Sequence, residues 1–175
     1  MIENSPRSIL KEGLAYDRCQ VGIVTGVPGP EGMDDPYIHD MERMRLVLRT
    51  QVDVVLKQGC AVLNADDATA RGLAELCDGE VILYGMDIDA DAMKQQCAAG
   101  GRFVTVRGHQ VVMCHQQTQT PLLDLDQPAI AQLLDRGALD RPALLAVVAA
   151  AWALNLSPSL VRAALESSAP VLIES

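Results

Sequence analysis

The sequence predicts an α/β chain: a partial parallel sheet flanked by helices, followed by a small antiparallel β-meander. Three observations predict it. Short apolar runs at Val21–Thr25, Cys60–Asn64 and Val81–Tyr84 alternate with helix-like segments, the order that strand–helix–strand crossovers produce. Further on, Arg102–Val106 and Gln110–Cys114 flank a compact turn, Arg107-Gly108-His109. Finally, 49% of the 175 residues are hydrophobic and 21% charged, a globular composition. At about 150 residues per domain the chain makes one domain. Its parts are a parallel α/β region over 1–100, a meander over 101–126 and C-terminal helices over 127–175.

The elements follow in order. Val21–Thr25 is bounded by Gly26 and Pro28, as a buried strand should be. Gly26–Pro36 then carries three Gly and three Pro, which prohibits regular structure. From Tyr37 to Leu56 the residues Ile38, Met41, Met44, Leu48, Val52 and Val55 recur at spacings of three and four. That is an amphipathic helix, with Asp35 as its cap and Pro36 at its first position. Cys60–Asn64 is the next strand. Asp66 caps a helix over Ala68–Cys77, and Val81–Tyr84 is the third strand. Thr120–Leu125 adds a last strand to the meander. The chain ends in helices over Pro142–Leu154 and Pro158–Glu166, the second fixed by the Ser157-Pro158 cap.

Composition excludes several functions. Fourteen Lys and Arg against 23 Asp and Glu give a net charge of −9, opposite to the balance needed to neutralise nucleic-acid phosphates. The longest apolar run, Ala143–Leu154, has 12 residues, whereas a bilayer span needs roughly 20. No apolar leader is visible in MIENSPRSILKEG. Five cysteines without a Cys-x-x-Cys pair point to free thiols in a reducing cytoplasm. The expectation is a soluble cytoplasmic protein that contacts neither nucleic acid nor membrane.

Candidate sites divide sharply. The Gly-rich loop is no phosphate cradle: it lacks the Gly-x4-Gly-Lys-Ser/Thr sequence, and Glu31, Asp34 and Asp35 stand there instead. Asp87-Ile88-Asp89-Ala90-Asp91 resembles an EF-hand opening, but Ala92 and Ala98 occupy the positions that need Gly and Glu. These acids read as caps of a helix beginning near Asp91. His109, Cys114 and His115 match no zinc spacing, and strand alternation sends 114 and 115 to opposite faces. No metal site and no catalytic residue is expected. Asn64-Ala65-Asp66-Asp67 stands at the carboxyl end of a predicted parallel strand, where open sheets take ligands. Asn offers a paired donor and acceptor to a base edge, and Asp an acceptor to ribose hydroxyls. Helix capping by Asp66 explains the same residues.

Several blocks carry a family resemblance. Ile9-Leu10-Lys11-Glu12-Gly13-Leu14-Ala15-Tyr16-Asp17-Arg18-Cys19, Arg49–Leu56, Ala61–Asp67 and Leu145–Leu154 with Ser157-Pro158 resemble the Mur-ligase-like module of bacterial cyanophycin synthetase. Their order and spacing fit from Glu3 to about Leu165. The resemblance implies descent from an ATP-dependent amide ligase, whose module joins an amino acid to an acyl phosphate while building an Asp–Arg polymer. It implies a single truncated Mur ligase central-like domain, because the family's P-loop lies upstream and its C-terminal domain downstream of these blocks. ATP and Mg are cofactors by this resemblance only, and Asn64 and Asp67 resemble the family's adenosine-side contacts.

The departures fall on the chemistry. Glu3-Asn4-Ser5-Pro6-Arg7-Ser8 stands for the family's Glu-Thr-Ala-Arg-Gly-Gly. Thr25-Gly26 and Glu31-Gly32 stand where Thr-Asn and Asp-His are usual, and Arg141-Pro142 where an Asn is usual. The expectation is an inactive binding or interaction protein. An uncovered sheet edge would favour pairing as a twofold homodimer. The alternative is a subunit of a split ligase, its partner a P-loop subunit or a full-length synthetase.

Overall fold

The computed structural model describes residues 1–31, 33, 37–86, 97, 100–116, 118–137 and 139–168. Six strands are hydrogen-bonded in the order β1-β2-β3-β4-β5-β6, with helices around them, so the mixed α/β class is as expected. Two compact units divide the chain, Met1–Leu83 and Tyr84–Ser175.

In the first unit, α1 spans Pro6–Glu12 and was not foreseen from the sequence. Its signal is Ser5-Pro6: Ser5 Oγ accepts from Ser8 N at 3.1 Å, and Pro6 opens the helix. Strand β1 (Cys19–Val24) pairs in parallel with β2 (Val55–Asn64), Val21 opposite Cys60 and Val24 opposite Leu63. The crossover between them is α2, Met41–Asp53. A Cβ on Gly22 would stand 2.7 Å from the Gln51 carbonyl oxygen and 2.8 Å from Val55 Cγ2. Glycine at that position is what allows α2 to lie close upon β1.

Helix α2 is shorter than the predicted Tyr37–Leu56. Asp40 is its cap, extended in backbone and accepting from Arg43 N at 2.8 Å. The expected cap, Asp35, lies outside the described residues. At the other end Val55 already pairs with Cys19, so Val55 and Leu56 belong to β2. The β-branched pair Val54-Val55 favours that exchange of helix for strand. Met44, Val47, Leu48 and Val52 face inward, while Met41 is 40% exposed.

The helix after β2 also departs from expectation. Its cap is Asp67, not Asp66, and the α-helical turn α3 covers only Ala68–Arg71. From Gly72 to Leu76 the backbone tightens into a 3-10 helix. An interior Gly weakens an α-helix by about 1 kcal/mol relative to Ala, so the change begins where the helix is weakest. Strand β3, Glu80–Gly85, extends the predicted run by one residue at each end.

In the second unit, β4 (Arg102–Arg107), β5 (Gln110–His115) and β6 (Thr118–Asp124) form the expected antiparallel meander. Gly108, with φ of +60°, takes the first central position of the two-residue turn between β4 and β5, where a hairpin of this hand needs positive φ. Pro121 sits in β6 opposite Val112, beside a register shift between Val111 and Val112. A proline cannot donate to the ladder and is accommodated at such an irregularity. Helix α4, Pro128–Asp135, was not individually foreseen within the helical 127–175 region. Helices α5 (Arg141–Ala153) and α6 (Pro158–Ser167) match expectation to within one residue at each end. Ser157 Oγ accepts from Leu160 N at 3.3 Å, as its cap reading required. Arg162 Nε reaches the Leu122 carbonyl oxygen at 2.8 Å and ties α6 to β6.

Aliphatic side chains fill both units, with Tyr84 and Phe103 the largest fully buried residues. All five cysteines are free, and Cys60, Cys97 and Cys114 are buried. No helix among the described residues is long and apolar enough to cross a membrane.

Candidate functional site

The turn after β2 carries a connected set of side-chain hydrogen bonds. Asn64 ends β2 and faces the loop after β1. Its Nδ2 donates to the Thr25 carbonyl oxygen at 2.9 Å, and its Oδ1 accepts from Asp66 N at 3.0 Å. Asp67 precedes α3. Its Oδ1 accepts from Thr69 N at 2.8 Å and Ala70 N at 3.1 Å, which is the helix cap. Its Oδ2 accepts from Val27 N at 2.6 Å. Arg71, one turn on, donates to the Ala65 carbonyl oxygen at 2.9 Å.

Asn64 and Asp67 therefore lie together at the carboxyl ends of β1 and β2, as the sequence suggested, and both already have partners within the chain. Three backbone N–H groups converge on the Asp67 carboxylate, and the nearby guanidinium of Arg71 is turned to a backbone carbonyl. A magnesium–nucleotide needs free carboxylate oxygens and cationic or amide phosphate ligands. The donor set at this turn does not fit one. Sequence reasoning missed the capping role of Asp67, although Asp followed by Thr69 and Ala70 two and three residues later carries that signal.

A shallow groove of about 370 Å³ opens between the start of α2 and α3, lined by Met41, Glu42, Arg45, Ala68, Thr69 and Gly72. Among the described residues that line it, the cation Arg45 is tied down: its Nε and Nη2 donate to Glu42 at 3.1 and 2.9 Å. The same bonds hold the Glu42 carboxyl below its ordinary value.

The second unit separates the residues that the sequence grouped. Cys114 is buried and its thiol is pushed up, first by burial and then by the charge of Cys97. His115 points the other way, edge-on to Trp152 with ring centres 6.4 Å apart. His109 Nδ1 lies 3.0 Å from Asp126 Oδ2 on the exposed hairpin end. Among the described residues no three His, Cys, Asp or Glu side chains are grouped to hold a metal. The Asp87–Asp91 stretch lies outside the described residues.

No known family profile matches the chain. Individual relatives do. Cyanophycin synthetase of Crocosphaera subtropica is 35% identical over 102 residues, which is 58% of this chain and 12% of that protein. The Synechocystis sp. enzyme of the same name is 32% identical over 102 residues, again 58% and 12% of the two chains. That of Geminocystis herdmanii is 33% identical over 90 residues, 51% and 10% of the two. The matched stretch is thus no more than about an eighth of these relatives' length. Over that stretch the chain is similar to cyanophycin synthetases.

Proposed function

We propose that these 175 residues form a Mur-ligase central-like domain related to cyanophycin synthetase, inactive by itself and acting as a binding or interaction module. One observation carries the reading: the likeness to synthetases of 32–35% identity coexists with a sequence that contains no Gly-x4-Gly-Lys-Ser/Thr. An amide ligase that works through an acyl phosphate must hold and neutralise ATP's phosphates. Asn64 and Asp67 take the adenosine-side positions by resemblance, and their existing hydrogen bonds make that affinity slight. The free thiols support a reducing cytoplasm as its compartment.

The module pairs as a twofold homodimer in this reading. Light scattering of the purified chain should give twice the mass of one chain. Calorimetric titration with Mg-ATP should show no binding below millimolar, and an Asp–Arg dipeptide is the second titrant because the chain's net charge of −9 suits arginine side chains. Submillimolar ATP binding would replace this reading by the split-ligase one. A candidate P-loop partner would then be required to hydrolyse ATP faster when the chain is added.

A further inference from the structure

We propose that Asn64 and Asp67 form a latch that closes the loop after β1 over the carboxyl ends of β1 and β2. The chain's own backbone then covers the place where an open α/β sheet takes a ligand. Two side-chain bonds make the closure across 39 and 40 residues of sequence: Asn64 Nδ2 to the Thr25 carbonyl oxygen at 2.9 Å, and Val27 N to Asp67 Oδ2 at 2.6 Å. The loop is held by packing as well, since the Val27 side chain is only 7% exposed. Between these anchors Gly26 lies beside the carboxylate: a Cβ there would make an ordinary contact, 3.4 Å from Asp67 Oδ2.

The division of labour within Asp67 makes the latch separable from the helix cap. Oδ1 serves Thr69 and Ala70 in α3, and Oδ2 serves the loop. An Asn caps a helix about as well as an Asp, so Asp67→Asn keeps an oxygen for α3. Its amide nitrogen then faces the Val27 N–H, donor against donor, and the loop bond is lost. Val27→Pro opens the latch from the other side by removing the N–H and leaving Asp67 intact.

Amide hydrogen exchange on the full chain reads both halves. In Asp67→Asn the Val27 amide should exchange at least about tenfold faster, as expected for losing a hydrogen bond to a charged group, while Ala70 keeps its protection. Equal Val27 exchange in wild type and variant would overturn the latch, and so would an unprotected Val27 in the wild type. Ala70 protection reports that each variant is folded.

What the latch covers rests on the adenosine reading of this turn, and a second measurement separates the two ideas. Adenosine, which brings neither phosphates nor magnesium, titrated into labelled Val27→Pro should shift the Ala65–Thr69 resonances, and leave them still in wild type. Loop opening without an adenosine shift in the variant supports the latch and removes the adenosine reading. Adenosine binding by wild type as tight as by Val27→Pro would overturn the closure.

Discussion

The guanidinium of Arg102 lies over the indole of Trp152, 5.2 Å from the ring centre, and Nη1 donates to the Trp152 carbonyl oxygen at 3.3 Å. That carbonyl belongs to the last turn of α5 and also accepts from Asn155 N at 2.9 Å; a cation is favourable at this end of a helix. One side chain of β4 thereby holds the end of α5. Arg102→Ala should lower unfolding stability by about 1–2 kcal/mol, from the lost stacking and hydrogen bond together. Arg102→Lys should recover less than half of it, because an ammonium cannot stack as a plane while donating sideways. Trp152 is the chain's single tryptophan, so denaturant titration followed by its fluorescence measures all three proteins. Identical midpoints for wild type and Arg102→Ala would show that the contact contributes nothing.

Two glycines should respond to alanine in opposite directions. A Cβ on Gly79 would stand 2.6 Å from the Gly59 carbonyl oxygen and 2.7 Å from that of Leu56. Both obstacles are backbone, so neither moves aside cheaply, and Gly79→Ala should cost about 1–3 kcal/mol by overpacking. Gly72 has nothing within 4 Å of the same added atom, and its backbone is already helical at φ −63° and ψ −14°. Gly72→Ala should stabilise by about 0.4–1 kcal/mol through the unfolded chain's lost freedom. Thermal melts of the pair test this, and a shift of the same sign in both would count against it.

The thiols set an alkaline limit. Burial is the first cause pushing Cys19, Cys77, Cys97 and Cys114 above the ordinary value of 9.0. The folded chain therefore keeps these protons to higher pH than the unfolded chain does. Their contribution is complete below the ordinary thiol value and is lost as pH rises through it toward the raised ones. Denaturant midpoints should be flat through neutrality and fall between about pH 8 and pH 10. Cys114→Val, close in volume and without a proton to lose, should flatten part of that fall. An unchanged alkaline slope in the variant would assign the fall to other groups.

Much of this fold is legible because period and punctuation agree. Val21–Thr25, Cys60–Asn64 and Val81–Tyr84 are apolar runs flanked by turn residues: the first falls at the end of β1, with Thr25 just outside it, the second forms the C-terminal half of β2, and the third is the middle of β3. Gly108 announced its hairpin for a stereochemical reason, its positive φ. Boundaries failed where local and tertiary signals compete. Val55 continues the spacing of α2, yet its pairing with Cys19 takes precedence. At the candidate site, sequence put Asn64 and Asp67 at the carboxyl end of a strand but gave no sign of their partners. Thr25 and Val27 are about 40 residues away along the chain, and no local pattern encodes which backbone groups a loop will present there.

Helix starts provide the last test, because the cap bonds differ in quality along the chain. Asp40 accepts from Arg43 N at 2.8 Å and Asp140 from Ala143 N at 2.7 Å, whereas Ser157 accepts from Leu160 N at 3.3 Å. The two aspartates also place negative charge at the positive end of their helices, and the serine does not. Asp40→Ala and Asp140→Ala should each cost about 1–2 kcal/mol, and Ser157→Ala about 0.5–1 kcal/mol. Pro142 and Pro158 remain in the first turn in every variant, so both helices keep a start signal and the loss should appear as fraying, not relocation. Amide exchange at Ala143 and Leu160 separates the cases. Asp140→Ala should deprotect Ala143 more than Ser157→Ala deprotects Leu160, and the reverse order would mean that bond length and charge do not rank these caps.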